Sequence, residues 1–252
     1  MRRLVVIIVL LAACSSEHRP GVVRVAAASD LARAFEELGR EFKTKTGITA
    51  EFTFGSSGLL AKQIEQGAPY GLYAAANKNF TEMAIKSGHC DATSAYLYAR
   101  GRIVVWTPKQ VAKPMDLRDL ADPRFKRIAI ANPEHAPYGL AAKQALQTLG
   151  LWDAVKDRIV LGENVQSTLV YARDGNADAA IVALSLATVT EGGTFVHVDP
   201  ALHEPLDQQL VVCGKGREAE AARKLAGFIS SKEGHELMTR YGFLLPGENP
   251  AK

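Results

Sequence analysis

The sequence predicts an α/β protein with mostly parallel sheets, divided into two lobes. Strand-like and helix-like segments alternate along most of the chain, which is typical of layered α/β folds. The pattern begins afresh after Trp106–Pro108, and a further strand near Gln209–Cys213 returns close to the end of the chain. A chain of 252 residues is long enough to bury the cores of two such lobes. We therefore expect the chain to cross twice between them.

The first twenty residues are typical of an export signal. The basic Met1-Arg2-Arg3 precedes an apolar run, Leu4–Ala13, that is too short to span a bilayer as a helix. The segment Leu11-Ala12-Ala13-Cys14 resembles the bacterial lipobox, in which the cysteine is lipidated and becomes the first mature residue. An ordinary cleavable signal that contains a cysteine is the alternative. We expect residues 1–13 to be a signal peptide, residues 14–21 a tether, and the mature protein to lie outside the cytoplasm, anchored to a bacterial membrane through lipid on Cys14.

Hydrophobic periodicity assigns the elements in order. Val22–Ala27 is a strand, and Asp30 is expected to cap a helix that runs to about Lys45 with one apolar face. That face carries Leu31, Ala34, Phe35, Leu38 and Phe42. The other predicted strands are Ile48–Phe54, Leu72–Ala76, Arg102–Trp106, Arg127–Ala131, Ala179–Ala183, Val196–Val198 and Gln209–Cys213, and the other helices are Ser57–Gln66, Phe80–Lys86, Leu117–Ala121, Tyr138–Leu149, Val165–Asp174 and Arg217–Tyr241. Lobe 1 is predicted to comprise residues 22–104 and 212–252, and lobe 2 residues 105–211.

Composition excludes several classes of function. The net charge is only +3 and the basic residues are dispersed, so nucleic acid is not an expected partner. The six histidines show no paired metal spacing, and we expect neither a metal cation nor a cofactor. Cys90 and Cys213 are expected to be two separate thiols. An oxidising compartment leaves open a disulfide between them, because sequence does not show whether they meet.

Four turns between a strand and a helix share small or polar residues. They are Ala28-Ser29-Asp30, Gly55-Ser56-Ser57-Gly58, Ala136-Pro137-Tyr138-Gly139 and Glu163-Asn164-Val165-Gln166. Helix amino termini present unpaired N–H groups and partial positive charge, and ligands of open α/β sheets bind at the carboxyl ends of the strands. Simple helix capping is the better explanation of any one turn taken singly. Four together predict an anion-binding site.

A resemblance to a known family covers nearly the whole chain after the signal. The segments "VAAAS" (residues 25–29), "FGSSGLLAKQIEQGAP", "NPEHAPYGLAAKQAL" and "RYGF" are similar, in order and spacing, to the periplasmic molybdate-binding proteins of ABC importers. The resemblance implies a two-lobed periplasmic-binding-protein fold of type II, with a ligand cleft between lobes joined by two hinge strands. It implies a binding protein without enzymatic activity that captures molybdate or tungstate and delivers it to the permease of an ABC importer. We expect it to act as a monomer.

The same resemblance implies the ligand-binding residues. Ser29 and Ser57 stand at the family's two serine positions, while Tyr138 and Val165 stand where the main chain donates N–H groups. The sequence departs from the family at Ala183, where a tyrosine is often found, and at Gly71, where an acidic residue is usual.

Two other functions remain open at this point. A protein of the same fold could bind another anion, such as sulfate, phosphate or a small organic anion. An exported hydrolase with Ser57 or Ser29 as nucleophile is the second alternative, although no acidic partner can be assigned to the nearby His135 as its base.

Overall fold

The computed structural model describes residues 21–248, which form ten β-strands and nine α-helices. The predicted signal peptide, Cys14 and nearly all of the tether lie outside the described residues, as do residues 249–252. Within the described range, no helix combines the length and apolar character needed to cross a membrane.

The strands and helices alternate as the sequence predicts, with shifts at their ends. The strands are β1 (Val22–Ala28), β2 (Thr49–Gly55), β3 (Leu72–Ala75), β4 (Tyr96–Gly101), β5 (Ile103–Pro108), β6 (Ile128–Ala131), β7 (Ile159–Gly162), β8 (Ala179–Ala183), β9 (Gly193–His197) and β10 (Leu206–Val212). The helices are α1 (Ala32–Thr46), α2 (Ser57–Glu65), α3 (Lys78–Lys86), α4 (Pro137–Thr148), α5 (Trp152–Val155), α6 (Val165–Arg173), α7 (Leu184–Ala187), α8 (Gly216–Ile229) and α9 (Lys232–Arg240).

The strands form two five-stranded sheets, one in each lobe. The sheet of lobe 1 has the order β2-β1-β3-β10-β4, and the sheet of lobe 2 has the order β7-β6-β8-β5-β9. In lobe 1 the strands β1, β2 and β3 are parallel, whereas β10 runs antiparallel to both of its neighbours. In lobe 2 the strands β6, β7 and β8 are parallel, and β5 runs antiparallel to both of its neighbours.

The reversed strand of each sheet is the one that receives the chain from the other lobe. The chain passes from β4 to β5 through Arg102 alone, and from β9 to β10 through residues 198–205. Since β4 and β9 run in the same direction as the parallel strands of their sheets, both crossings leave from the edge where those strands end. The carboxyl ends of the parallel strands of both lobes therefore face each other across one cleft.

The structure corrects several sequence-based boundaries. The predicted strand Arg102–Trp106 is β5, and the preceding segment forms a separate strand, β4, in the other sheet. The short strand β7 was not predicted, and the single carboxyl-terminal helix is two helices that separate at Ser231, whose side chain caps α9. The second sheet begins at Ile103 rather than 105. Residues 206–211, expected in lobe 2, belong to β10 in the sheet of lobe 1, because the polar Asp207-Gln208-Gln209 obscures the strand pattern.

The predicted apolar face of the first long helix is confirmed. Leu31, Ala34, Phe35, Leu38 and Phe42 are all fully buried against the sheet of lobe 1. Asp30 does not cap this helix, however, because it lies in a 3-10 turn and α1 begins two residues later with no side-chain cap.

Cys90 and Cys213 form a disulfide, so the expectation of two separate thiols is wrong. Their main chains also form an isolated antiparallel β-bridge between the segment after α3 and the end of β10. Sequence spacing does not reveal this pairing. The bond closes a loop with a sequence separation of 123 residues that contains all of lobe 2. It therefore joins the two chain segments that build lobe 1.

We predict that reduction of this disulfide destabilises the protein by about 2–5 kcal/mol, because the unfolded chain regains the entropy of a long loop. The expected fall in Tm is about 4–20 °C for a chain of this size. Thermal unfolding with and without dithiothreitol measures it. The Cys90→Ser/Cys213→Ser variant, treated identically, should start at the lower Tm and show no response to the reductant. An unchanged Tm in the reduced wild-type protein would contradict the prediction.

Candidate functional site

A small cavity lies between the lobes, at the facing edges of the two sheets. Each segment that lines it follows the carboxyl end of a parallel strand or begins the next helix. The lining residues are Ala28, Ser29, Asp30, Gly55, Ser56, Ser57, Ala76, Ala136, Pro137, Tyr138 and Val165. Ser29, Ser57, Tyr138 and Val165, the four residues predicted from the sequence, are thus brought together, and each is nearly completely buried.

Three helices begin at this cavity. Ser57 and Val165 are the first residues of α2 and α6, and Tyr138 is the second residue of α4. First-turn N–H groups have no acceptor within their own helix, and they carry the positive end of the helix dipole. The lining contains neither Lys nor Arg, and Asp30 is its one ionisable acid. No group of three or more His, Cys, Asp or Glu within residues 21–248 is arranged to hold a metal ion. The cavity therefore suits an anion held by hydrogen bonds.

Ser57 is held in place by two buried hydrogen bonds from β3 and the residue that follows it. The Tyr73 hydroxyl donates to the Ser57 carbonyl oxygen at 2.6 Å, and the Ala76 N–H donates to Ser57 Oγ at 3.0 Å. A hydroxyl carries one donor and two acceptor sites, so this arrangement leaves the Ser57 O–H free to donate. Ser57 does not cap its helix; the residue at the N-cap position is Ser56, and its side chain makes no capping bond.

Capping explains one of the four turns. Asn164 accepts hydrogen bonds from the N–H groups of Gln166 and Ser167 in a capping box, which satisfies two first-turn donors of α6 and leaves the Val165 N–H outside the box. The Gln166 N–H also lies 3.4 Å from Ser29 Oγ, which links lobe 2 to the first turn of lobe 1. At α2 and α4 no side chain caps the amino terminus.

Tyr138 lines the cavity, and its side chain also belongs to a buried polar cluster. Its hydroxyl donates to Asp30 Oδ2 at 3.0 Å, and Gln208 Nε2 donates to the same oxygen. Tyr98 in turn donates to Gln208 Oε1 at 2.8 Å. Burial raises the pKa of Asp30 from its ordinary value to about 6, although the hydrogen bonds from Gln208 and Tyr138 oppose that shift. Burial also raises the pKa of Tyr138, so its phenol stays protonated.

The helix that carries Tyr138 approaches the end of β6 closely. A Cβ atom added at Gly139 would lie 1.9 Å from the Ala131 carbonyl oxygen. Glycine at this position therefore lets the amino terminus of α4 reach the cavity.

A second set of contacts joins the lobes at His135. The Gly58 N–H donates to the His135 carbonyl oxygen at 2.9 Å, and the Ser56 hydroxyl contacts both that oxygen and His135 Nδ1. His135 thus pairs with Ser56, and neither Ser57 nor Ser29 has a histidine partner among the described residues. The lobes are closed on each other in this structure.

The two departures from the family pattern lie outside the cavity lining. A Cβ atom at Gly71 would lie 2.7 Å from Glu218 Cγ, and the Glu218 carboxylate pairs with Arg24 at 2.7 Å. Glu218 thus occupies the space beside Gly71 and supplies an acidic group there from another part of the chain. Ala183 ends β8, and two residues later the Ser185 hydroxyl donates to the Asp30 carbonyl oxygen at 2.8 Å.

Sequence reasoning missed the polar cluster behind the cavity. Asp30 was expected to be a helix cap, His135 had no assigned partner, and Gln208 was not singled out. A glutamine inside a strand is a possible signal, because a fully buried amide needs partners on both of its ends.

Comparisons with known proteins agree with this geometry. The family described as bacterial extracellular solute-binding protein matches residues 23–244. A molybdate-binding protein of Rhodobacter capsulatus is 32% identical over 224 residues, covering 89% of this chain and 88% of the relative. A putative ABC transporter substrate-binding lipoprotein of Bacillus subtilis is 30% identical over 243 residues, covering 93% of each chain. The solved periplasmic molybdate-binding protein of Azotobacter vinelandii superposes with a TM-score of 0.82 at 30% identity, covering 89% of this chain and 99% of that one.

The resemblance and the two-lobed fold predicted from the sequence are confirmed by these matches. Members of this family bind solutes outside the cytoplasm and do not catalyse reactions, which excludes the hydrolase alternative. The chain belongs to the bacterial extracellular solute-binding proteins.

Proposed function

We propose that this protein captures molybdate or tungstate and delivers it to an ABC importer. The observation that carries the proposal is the convergence of Ser29, Ser57, Tyr138 and Val165 on one cavity whose lining contains neither Lys nor Arg. The names of the similar proteins support it, since those from Rhodobacter capsulatus and Azotobacter vinelandii are molybdate-binding proteins.

Neutral donors are sufficient to bind a dianion in such a cavity. A hydrogen bond to a charged group contributes about 1.5–3 kcal/mol. Five of them would contribute roughly 7–15 kcal/mol before the costs of association, which is of the order that micromolar affinity requires. The donors are the hydroxyls of Ser29 and Ser57 and the first-turn N–H groups at Ser57, Tyr138 and Val165.

The cavity also provides a basis for selectivity. Molybdate and tungstate are tetrahedral dianions larger than sulfate, so the same fixed donors do not contact both sizes equally well. Rigid donors on helix termini are unable to follow a smaller anion without opening a gap on one side.

Hydrogen phosphate is a second candidate because of Asp30. An anion that retains a proton needs an acceptor in its site, and the Asp30 carboxyl is the one acidic side chain in the lining. The names of the similar proteins favour molybdate. Measured affinities for molybdate and phosphate decide between the two ligands.

Closure of the lobes accounts for delivery. Tyr138 and His135 of lobe 2 bond to Asp30, Ser56 and Gly58 of lobe 1 only when the lobes meet. An anion that contacts donors from both lobes favours this closed state, which presents the surface that an importer permease recognises.

We predict that molybdate and tungstate bind with micromolar or tighter affinity and raise the Tm, whereas sulfate does so at least a hundredfold less effectively. The physical reason is the fit of the donors to the larger tetrahedron. Isothermal titration with molybdate, tungstate, sulfate and phosphate at pH 8 measures each affinity. Equal affinity for sulfate would refute the size argument, and tighter binding of phosphate would favour the second candidate.

We predict that Ser57→Ala weakens molybdate binding about tenfold or more, because the anion loses a charge-assisted hydrogen bond. The variant also leaves the buried Ala76 N–H without its acceptor, which should lower stability by about 1–3 kcal/mol without unfolding the protein. Ser87→Ala is a matched control in lobe 1, because the Ser87 hydroxyl bonds only to the nearby Ala84 carbonyl. Titration of both variants, with circular dichroism to verify folding, makes the comparison. Unchanged affinity in a folded Ser57→Ala protein would remove Ser57 from the site.

We also propose that Cys14 carries a lipid that anchors the protein to a bacterial membrane. The lipobox-like Leu11-Ala12-Ala13-Cys14 supports this, as does the description of the Bacillus subtilis relative as a lipoprotein.

We predict that Cys14→Ser abolishes incorporation of labelled palmitate. Without the thiol, no lipid can be attached and the signal is not processed at this position. Labelling of the full-length chain in a bacterial host tests this, with Cys90→Ser as the control that retains the label. Labelling that persists in Cys14→Ser would disprove the assignment.

A further inference from the structure

Asp30 is an unusual residue for an anion site, because an ionised carboxylate repels the ligand. It is only 1% exposed and it lines the same cavity as Ser29. Oδ2 receives hydrogen bonds from Tyr138 and Gln208, whereas Oδ1 is buried and has no hydrogen-bond partner among the described residues. A buried carboxylate oxygen without a donor is costly, and a neighbouring dianion increases that cost.

No cation compensates the charge. Asp30 forms no ion pair within residues 21–248, and the cavity lining contains neither Lys nor Arg. The titratable groups that face it are two protonated phenols, Tyr138 from α4 and Tyr98 from β4. The charged residues on the other elements packed around this turn have other partners or are exposed. Helix α7 carries no charged residue, and Glu51 of β2 is exposed. Arg33 of α1 pairs with Glu36, Arg173 of α6 pairs with Asp174, and Arg102 at the crossing donates to the Gly242 carbonyl oxygen.

The burial of Asp30 depends on closure of the lobes. Tyr138 and Ser185, both from lobe 2, bond to its side chain and to its main chain, while Gln208 belongs to lobe 1. Opening the cleft withdraws the lobe 2 groups and admits water to the carboxyl. The closed state therefore favours the neutral acid more strongly than the open state does.

We propose that anion capture is coupled to uptake of one proton by Asp30, so that the closed, loaded protein holds this residue as a neutral acid. The inference rests on the proposed function and adds a linked ligand, the proton, to the same site. The proton removes the one negative charge beside the anion. It also turns an acceptor into a hydrogen-bond donor, which completes a lining made of donors alone. The open protein releases the proton at neutral pH, so release of the anion and of the proton accompany each other.

The direction of the pH effect follows from the raised pKa. In the closed protein without anion, the pKa of Asp30 is already about 6, above its ordinary value of 3.8, and a bound dianion raises it further. The loaded state then binds more protons than the open state between those pKa values, so affinity increases as pH falls through that window. Above the pKa of the loaded state the coupling vanishes.

The test is isothermal titration of the full mature chain with molybdate at pH 6.0, 7.0 and 8.0, in pairs of buffers with different ionisation enthalpies. We expect uptake of about half a proton or more per anion at pH 6.0, and affinity about two- to tenfold tighter at pH 6.0 than at pH 8.0. Tungstate should give the same proton count, because the group that titrates belongs to the protein. Binding of molybdate with no proton exchange and a constant Kd would overturn the inference and leave the proposed function intact. Failure of every tested anion to bind would overturn both.

Asp30→Asn identifies the group. The amide mimics the neutral acid, so this variant should bind molybdate with a pH-independent Kd and no proton uptake. Asp153→Asn, at an exposed acid far from the cavity, should retain the wild-type uptake. Proton uptake that persists in Asp30→Asn would assign it to another group and overturn the inference. If Asp30→Asn does not fold, the wild-type proton count in paired buffers decides the question alone.

Discussion

The architecture depends on one topological constraint: the chain crosses between the two sheets at the edge where their parallel strands end. Because Arg102 and residues 198–205 make both crossings there, β5 and β10 must run away from the cleft, against the other strands of their sheets. The turns that follow the parallel strands of lobe 1 then face those of lobe 2. Helices that begin at those turns point their amino termini into the same small volume. The binding site is thus a consequence of chain direction as much as of side-chain identity.

That geometry explains how the proposed site can hold an anion without a basic residue. Peptide N–H groups and two serine hydroxyls carry only partial charges, but they are fixed by buried bonds such as those from Tyr73 and Ala76 to Ser57. Fixed dipoles in a buried site need little reorganisation when a ligand arrives, so each keeps most of its strength. The one carboxyl group in the lining belongs to Asp30. The protonation state of Asp30 consequently affects the electrostatic field in the cavity more than that of any other lining residue does.

The strand order and the disulfide of lobe 1 hold this lobe together when the lobes move relative to each other. It is built from two separate segments of chain, and β10 of the second segment lies between β3 and β4 of the first. The Cys90–Cys213 disulfide fastens the same two segments at the end of β10. Lobe 2 is inserted between these segments and is connected to lobe 1 by the two crossings. Opening of the cleft therefore changes the contacts at Tyr138 and His135 without disturbing the sheet that carries Ser29 and Ser57.

The sequence by itself determined the α/β class, the apolar face of the first helix and the four turns that line the cavity, because these depend on local periodicity and on residues adjacent in the chain. The similarity to solute-binding proteins was also readable from segments such as "FGSSGLLAKQIEQGAP". Only the tertiary structure decided the partners of Asp30, the contact between Ser56 and His135, the disulfide and the return of β10 to lobe 1. Each of these joins residues distant in sequence, such as Asp30 and Gln208. Nothing in the local pattern specifies such pairs, since these residues meet only when separate chain segments pack together within lobe 1 or across the cleft.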